Sequence, residues 1–347
     1  MYRTLRTILM LAFIAAVIGA VVYSRIVAYS LAPTMKSADF HGLAPWEIPI
    51  AYIIDYLSHG IICLLFAFVA AGLIYEFMPK EFVTKRMASG KAGYAIGVLV
   101  APFFTVCSCT MVPIFAGILY SGSGIGPALA FLLMAPAANI LTIVMTGEML
   151  SWELAGVRIV AALITAITAG FIVSRTPWGR EVEKRLRANS GFTDAQVQGQ
   201  VSSVEVVKPP LDTRLWTALS FGGYLGRQIL PWFFLGLVAV SYLEAYLPEE
   251  LVATHLTGIG GVLLASVIGG PLYTPTLVEI VLGKGLMDLG MTKPVMLSWL
   301  MGQPYDVPNM IATSRIIGWK PVITYALVAW SFSVLCGLAY GLIAGGL

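Results

Sequence analysis

The chain has 347 residues, of which 58% are hydrophobic and only 11% charged, with a formal net charge of +3. A typical soluble domain carries about 25% charged residues, so this composition lacks the polar side chains to cover a water-facing surface of such a chain. It argues against a soluble enzyme, a nucleic-acid binder and a disordered chain. The net charge is too small to call for a polyanionic partner, and four cysteines make no disulfide framework at this length.

In chain order, Arg3 and Arg6 precede a first apolar run over 7–32. It is longer than a signal-peptide core and ends in no clear small-residue cleavage site, so it reads as an uncleaved anchor. Further full spans read near 48–77, 127–147, 153–174, 215–247, 294–315 and 321–344. Each approaches or exceeds the roughly 20 apolar residues that a helix needs to cross a bilayer. Two more apolar segments, 92–121 and 257–285, are interrupted by Gly, Pro and polar residues. The chain therefore reads as an all-α, multi-pass protein of the inner (cytoplasmic) membrane, with the lipid bilayer as its surroundings.

Basic residues cluster in three places: Arg3 and Arg6; Lys80, Lys85, Arg86 and Lys91; and the polar segment 175–214, with Arg175, Arg180, Lys184, Arg185, Arg187, Lys208 and Arg214. The short segments 147–153 and 248–256 hold Glu148, Glu153, Glu249 and Glu250 as their full charges. Because cytoplasmic loops carry the Lys/Arg excess, the basic segments and the N-terminus are expected in the cytoplasm and the C-terminus outside. A single crossing by 92–121 would put the basic 175–214 segment outside. A re-entrant hairpin with arms near 92–104 and 111–121 restores agreement, as would a pair of short tilted spans.

The second half repeats the first. L-S-H-G-I-I at 57–62 aligns with L-G-R-Q-I-L at 225–230, P-F-F-T at 102–105 with P-L-Y-T at 271–274, and Pro127 and Met134 with Pro294 and Met301. The expected organisation is an N-terminal anchor helix and outer loop (1–46), a first membrane repeat (47–174), a basic cytoplasmic linker (175–214) and a second repeat (215–347). Each repeat holds three transmembrane helices and a re-entrant or broken-helix hairpin. An odd number of crossings per half inverts one half relative to the other, an arrangement that recurs in transporters with discontinuous helices meeting near the midplane.

The chemistry gathers at the interruptions. The first hairpin reads A-P-F-F-T-V-C-S-C-T-M-V-P over 101–113. Pro102 disfavours continuing the first arm, and Thr110 is expected to N-cap the second, with Pro113 in its first turn. Cys107 and Cys109, two apart, converge only on extended backbone. There the dipole of the second arm would favour thiolate, suited to a soft metal or metalloid, with Thr105, Ser108 and Thr110 beside them. Two small residues packing a tight tip is the other reading. Cys63 could add a third thiol, although ordinary packing suits it and Cys336 better. In the second hairpin Thr274 and Pro275 form an N-cap and first-turn pair. Glu279 lies a turn beyond, where a carboxylate is costly and so is a candidate for proton coupling or a structural pairing.

Two later helices are interrupted at matching places. One carries M-A-P-A-A-N, with Pro136 and Asn139; the other carries M-G-Q-P-Y-D-V-P-N, with Gln303, Tyr305, Asp306 and Asn309. Asn139, Thr274, Gln303, Tyr305 and Asn309 are candidate substrate contacts, and Asp306 a candidate proton or cation carrier; a simple proline kink would also account for the prolines. His59 and Arg227 occupy matching repeat positions, with Asp55 a turn from His59. A proton relay and a structural ion pair inside the bundle are both open. Arg25 and Arg158, nearer helix ends, are expected to snorkel.

The run P-F-F-T-V-C-S-C-T-M-V-P-I-F-A-G followed by G-P-A-L-A-F-L-L-M-A-P-A-A-N resembles the predicted-permease family that includes ArsP and YraQ, over roughly 48–344. The resemblance implies a permease rather than an enzyme, with Cys107 and Cys109 at the family's motif, and with ArsP it implies export of trivalent organoarsenicals such as methylarsenite. A monomethylated trivalent arsenic has two valences left for thiolates, which matches Cys107 and Cys109 as metalloid ligands. The expected function is therefore a secondary transporter exporting a soft, thiol-reactive small solute. No G-x-x-x-x-G-K-[ST] run is present, and no cofactor and no nucleic-acid partner are expected. Homo-oligomerisation stays open. The alternative is a membrane-embedded thiol oxidoreductase using Cys107 and Cys109.

Overall fold

The computed structural model describes residues 2–31, 44–79, 86–87, 90–104, 108–189, 210–246, 257–270, 276–302 and 305–344, and all regular structure among them is helical. In chain order the first half comprises α1 (Tyr2–Leu31), α2 (Glu47–Phe77), α3 (Lys91–Val100) with a 3-10 turn over Ala101–Phe103, α4 (Ser108–Tyr120), α5 (Ile125–Ala137), α6 (Ile140–Met149) and α7 (Trp152–Arg175). Then come α8 (Pro177–Asn189), α9 (Leu211–Tyr246), α10 (Gly258–Gly269), α11 (Thr276–Asp288), α12 (Lys293–Leu300), α13 (Val307–Ile317) and α14 (Trp319–Ala344). Six stretches among the described residues are long and apolar enough to cross a membrane: Thr4–Ser24, Gly60–Phe77, Ile125–Met149, Trp152–Arg175, Leu211–Tyr242 and Trp319–Ala344.

The interrupted segments fold as the punctuation in the sequence demands. The 92–121 segment is two short helices, α3 and α4, and 257–285 is α10 and α11. The span expected over 294–315 is likewise two helices, α12 and α13, each too short to cross a bilayer by itself. A helix of 8 or 10 residues cannot shield its ends from lipid, so such helices must be enclosed by longer ones. Burial follows that rule. Every residue of α5 is buried, as is every residue of α12 from Pro294 onward, whereas α14 exposes Ile323, Leu327, Leu335 and Ile343 on its outer side. The polar segment 175–214 includes, among its described residues, the helix α8, rich in charged side chains.

Four helices frame the centre. The long α2 and α9 pack along each other, and α7 packs on α14. Small residues permit the close approach: a Cβ at Gly222 on α9 would lie 2.5 Å from the Phe68 carbonyl oxygen on α2. In lipid, where apolar side chains gain nothing by leaving solvent, such backbone contact supplies the packing energy. Inside this frame α3 and α4 pack on α5, and α10 and α11 pack on α12. Short helices also reach across the molecule, α4 against α13 and α11 against α6. At the periphery Met10 and Ile14 of α1 rest on Val69 and Leu215.

Polar bonds hold the two ends. At one, Arg214 Nε donates to Glu76 Oε1 at 3.0 Å, Arg6 lies 4.6 Å above the Trp216 ring, and Arg185 Nη2 donates to the Ile316 carbonyl at 2.9 Å. At the other, Lys293 Nζ and the Tyr340 hydroxyl both donate to the Glu153 carboxylate, at 2.6 and 2.7 Å.

Candidate functional site

Two helix interruptions lie where α6 meets α11 and α13 meets α4, and each is rebuilt by one polar side chain. At the first, α5 stops at Ala137 and Ala138 leaves helical geometry at φ −145°, ψ 46°. Asn139 turns extended and restarts the helix as the N-cap of α6: its Oδ1 accepts from Thr142 N at 2.9 Å, and its Nδ2 donates back to the Ala135 carbonyl at 3.3 Å. One amide thus serves both broken ends, using its acceptor and its donor. The threonines continue the chain, Thr142 Oγ1 donating to the Asn139 carbonyl at 2.8 Å and Thr146 Oγ1 to the Thr142 carbonyl at 2.6 Å.

At the second interruption the cap is an acid. Asp306, 1% exposed, accepts from Asn309 N at 2.8 Å and from Asn309 Nδ2 at 2.7 Å, and Pro308 sits in the first turn of α13, where its missing N–H costs nothing. The positive end of the helix favours an anion at this place. On the same face of α13, Asn309 Oδ1 and Thr313 Oγ1 are buried without a hydrogen-bond partner among the described residues. The buried Tyr325 phenol lies beside Thr313 and Asp306. Tyr305, the residue before the cap, donates from its hydroxyl to the Ser266 carbonyl on α10 at 2.9 Å. Its ring lies against Gly270, and a side chain there would occupy the ring's own volume. Glycine at 270 is thus required by the close approach of the second hairpin to the interruption.

Arg158 joins the first interruption to the second hairpin. It is completely buried, and each nitrogen of its guanidinium has a separate task. Nε donates to the Ala137 carbonyl at 2.7 Å, one of the acceptors left open where α5 ends. Nη1 donates to Thr146 Oγ1 at 3.0 Å, and Nη2 donates to Glu279 Oε2 at 3.3 Å. Glu279, in the first turn of α11, is 1% exposed, so the pair is desolvated on both sides. Beside it Ile280 packs on Met145, with Leu141, Met149 and Leu150 around them.

The expected site residues are distributed as follows. Asn139, Tyr305, Asp306 and Asn309 lie at the interruptions, all buried, and Glu279 is buried on α11. Thr110 is buried but lies inside α4, which already runs from Ser108; the expected cap at Thr110 is therefore corrected, and extended backbone does not reach Cys109. Pro113 leaves the Cys109 carbonyl without its intrahelical donor. Thr105, Cys107, Thr274 and Gln303 lie outside the described residues, and for His59, Ser108 and Cys109 only the backbone is described. Asp55 and Arg227 are exposed on α2 and α9, so neither forms a buried ion pair inside the bundle. Cys63 is buried on α2 and Cys336 half-buried on α14.

The expectation that Arg158 snorkels is also corrected. Its approach to a helix end was legible, but the face it occupies turns inward. A signal for it was present in the sequence: the alignment of Pro127 with Pro294 sets a register of 167 positions, which carries Asn139 onto Asp306, Thr142 onto Asn309, Thr146 onto Thr313 and Arg158 onto Tyr325. Followed past the prolines, that register marks both polar clusters.

A multi-pass helical bundle whose enclosed short helices end at polar caps is the construction of a membrane transporter, with irregular backbone only where protein surrounds it. The chain belongs to the predicted permease family, whose model matches residues 50–342. It is 28% identical to a UPF0718 protein of Methanocaldococcus jannaschii, over 86% of this chain and 96% of that one. It is 24% identical to the UPF0718 protein YraQ of Escherichia coli, over 85% of this chain and 82% of that one. No solved structure matches it.

Proposed function

We propose that this permease is a secondary transporter that exports a soft, thiol-reactive small solute, a trivalent organoarsenical such as methylarsenite, with protons as the coupling ion. The observation that carries the reading is the pair of helix interruptions capped by Asn139 and Asp306, each enclosed by helices and each approached by a hairpin arm from the opposite half. The packing supports an inverted repeat of 47–174 and 215–347 around the 175–214 linker, since most contacts of one half have a counterpart in the other. Thus α3–α5 matches α10–α12, α5–α7 matches α12–α14, and α4–α13 matches α11–α6. The gathering of Arg6, Arg185 and Arg214 at one end supports that end as cytoplasmic, the first hairpin entering from it and the second from outside.

In this reading Cys107 and Cys109 take the metalloid as thiolates, the first turn of α4 unwinding so that they converge, and the remaining helix N-terminus stabilises the charge. The Asn309 and Thr313 oxygens on α13 offer hydrogen bonds to its hydroxyl groups or to water travelling with it. Asp306 carries the coupling proton, because among the described residues it has hydrogen-bond donors but no cationic partner, whereas Glu279 is held by Arg158.

The test is uptake of methylarsenite into everted vesicles driven by a proton gradient, with Cys107→Ser and Cys109→Ser alongside. The expected result is uptake that collapses with the gradient and is lost in both variants. Gradient-independent uptake overturns the coupling, and uptake unchanged in both variants overturns the thiol site. Turnover of a dithiol without any uptake would instead favour an oxidoreductase.

A further inference from the structure

We infer that Arg158 is a positioning residue that holds Glu279 and that the pair is a latch between the two halves, closing the path at the Glu153 end of the bundle until Glu279 is neutralised. This rests on the permease reading only for what the latch closes; the latch itself is a property of the helices.

The bonding of Arg158 is unequal. Its two shorter bonds, to the Ala137 carbonyl and Thr146, are to the first half, and its longest reaches Glu279 across 121 residues of sequence. A permanent arginine–carboxylate strut favours two parallel bonds; here a single guanidinium nitrogen crosses. On separation the arginine stays with α5, α6 and α7, and α11 leaves with Glu279. The remaining α11–α6 contact is apolar and contains Met145 and Met149, side chains that repack readily. Arg158 lies five residues beyond Glu153 on α7, about 7.5 Å of helix rise, and more than three times as far from Arg175. The latch is therefore near the Glu153 end.

The matching cluster of the other half has no ion pair to lock: its carboxylate, Asp306, is held by Asn309 and has no cationic partner among the described residues. At the positions related by the repeat register stand Thr313 and Tyr325, and the residue related to Glu279 by the hairpin alignment of Thr105 with Thr274 is Thr110. One side of the path is closed by an ion pair and the other by the Asn309-held Asp306 with hydroxyl groups beside it, so neutralising Glu279 breaks an ion pair on one side alone.

Arg158 is the cation that pairs with Glu279 among the described residues. On the elements packed against α11, Glu148 on α6 is exposed, and Glu153 on α7 and Lys293 on α12 pair with each other; Lys284 and Asp288 of α11 pair in exposed positions. A proton on Glu279 removes the attraction and lets α11 part from α6.

The experiment is the labelling rate of Ile280→Cys by a membrane-impermeant maleimide, in full-length protein in oriented vesicles, with the unsubstituted chain as background. Ile280 is fully buried between α11 and α6. Val322→Cys, fully buried on α14, reports general loosening. With Glu279→Gln or Arg158→Met, labelling at 280 should rise by about tenfold or more from the Glu153 side while 322 stays protected. Arg158→Lys, which keeps the charge, should stay near the parent rate. Acidification of the parent should reproduce the Glu279→Gln pattern once the rate is normalised to a cysteine at exposed Trp152. An unchanged rate at 280, or a rate at 322 that rises in step with it, overturns the latch. Because no cargo enters the assay, failure of methylarsenite transport leaves this result standing, and failure of the latch leaves the transport result standing.

Discussion

Replacing Arg158 with Met removes the single buried cation that Glu279 faces among the described residues, together with the donors to Ala137 and Thr146. Breaking a buried pair by deleting one partner costs about 3–5 kcal/mol, because the other charge remains desolvated. Glu279→Met strands the guanidinium and should cost about as much by the same reasoning. The double variant strands neither charge. It loses a donor to one carbonyl and one hydroxyl, so its cost should fall to about 1–3 kcal/mol. The double variant should therefore be more stable than the sum of the single changes by about 3 kcal/mol or more, well above the roughly 0.3–0.5 kcal/mol within which independent sites add. The measurement is reversible unfolding of the four proteins in mixed detergent micelles. If the two single costs add to the double cost, the side chains do not interact energetically and the structural basis of the pair is refuted.

Other outcomes follow from the same geometry. Asn139→Ala removes the cap of α6 and should destabilise by about 1 kcal/mol, while Asn139→Asp keeps the acceptor and should cost less. Asp306→Ala should cost more, about 2–3 kcal/mol, since two buried donors of Asn309 lose their acceptor at once. Gly270→Ala forces the Tyr305 ring from its place and breaks its bond to Ser266; protein yield and melting temperature should both fall, and Tyr305→Ala in the same chain should restore most of the loss. A glycosylation or protease site inserted in 190–209 should be reached only from the cytoplasm, and access from outside would reverse the proposed orientation.

Much of the architecture was legible because its signals are local. Hydropathy over some 20 residues marks a span by itself, since lipid forces every backbone bond to close within the segment. The interruptions were legible for a similar reason. Proline at 136, asparagine at 139, and the aspartate and proline at 306 and 308 act on their own turn of helix, so the sequence alone places the stops and restarts. The start of α4 was misread because Thr110, a residue competent to cap a helix, lies inside one, and local chemistry alone does not say whether a threonine caps a helix or sits within it.

What the sequence by itself determined is therefore a charge-poor chain of long helices and the places where helices break. What only the tertiary structure decided is which way each ionisable residue faces. Asp55 and Arg227 look as deep as Arg158 or deeper by position along a helix, yet they are exposed and Arg158 is not. The cost of burying a charge depends on a partner, and the partner of Arg158 comes from another helix far along the chain. No periodicity within α7 contains Glu279. The packing of α11 on α6 brings it there, and that packing turns two residues of unremarkable spacing into the one fully buried ion pair among the described residues.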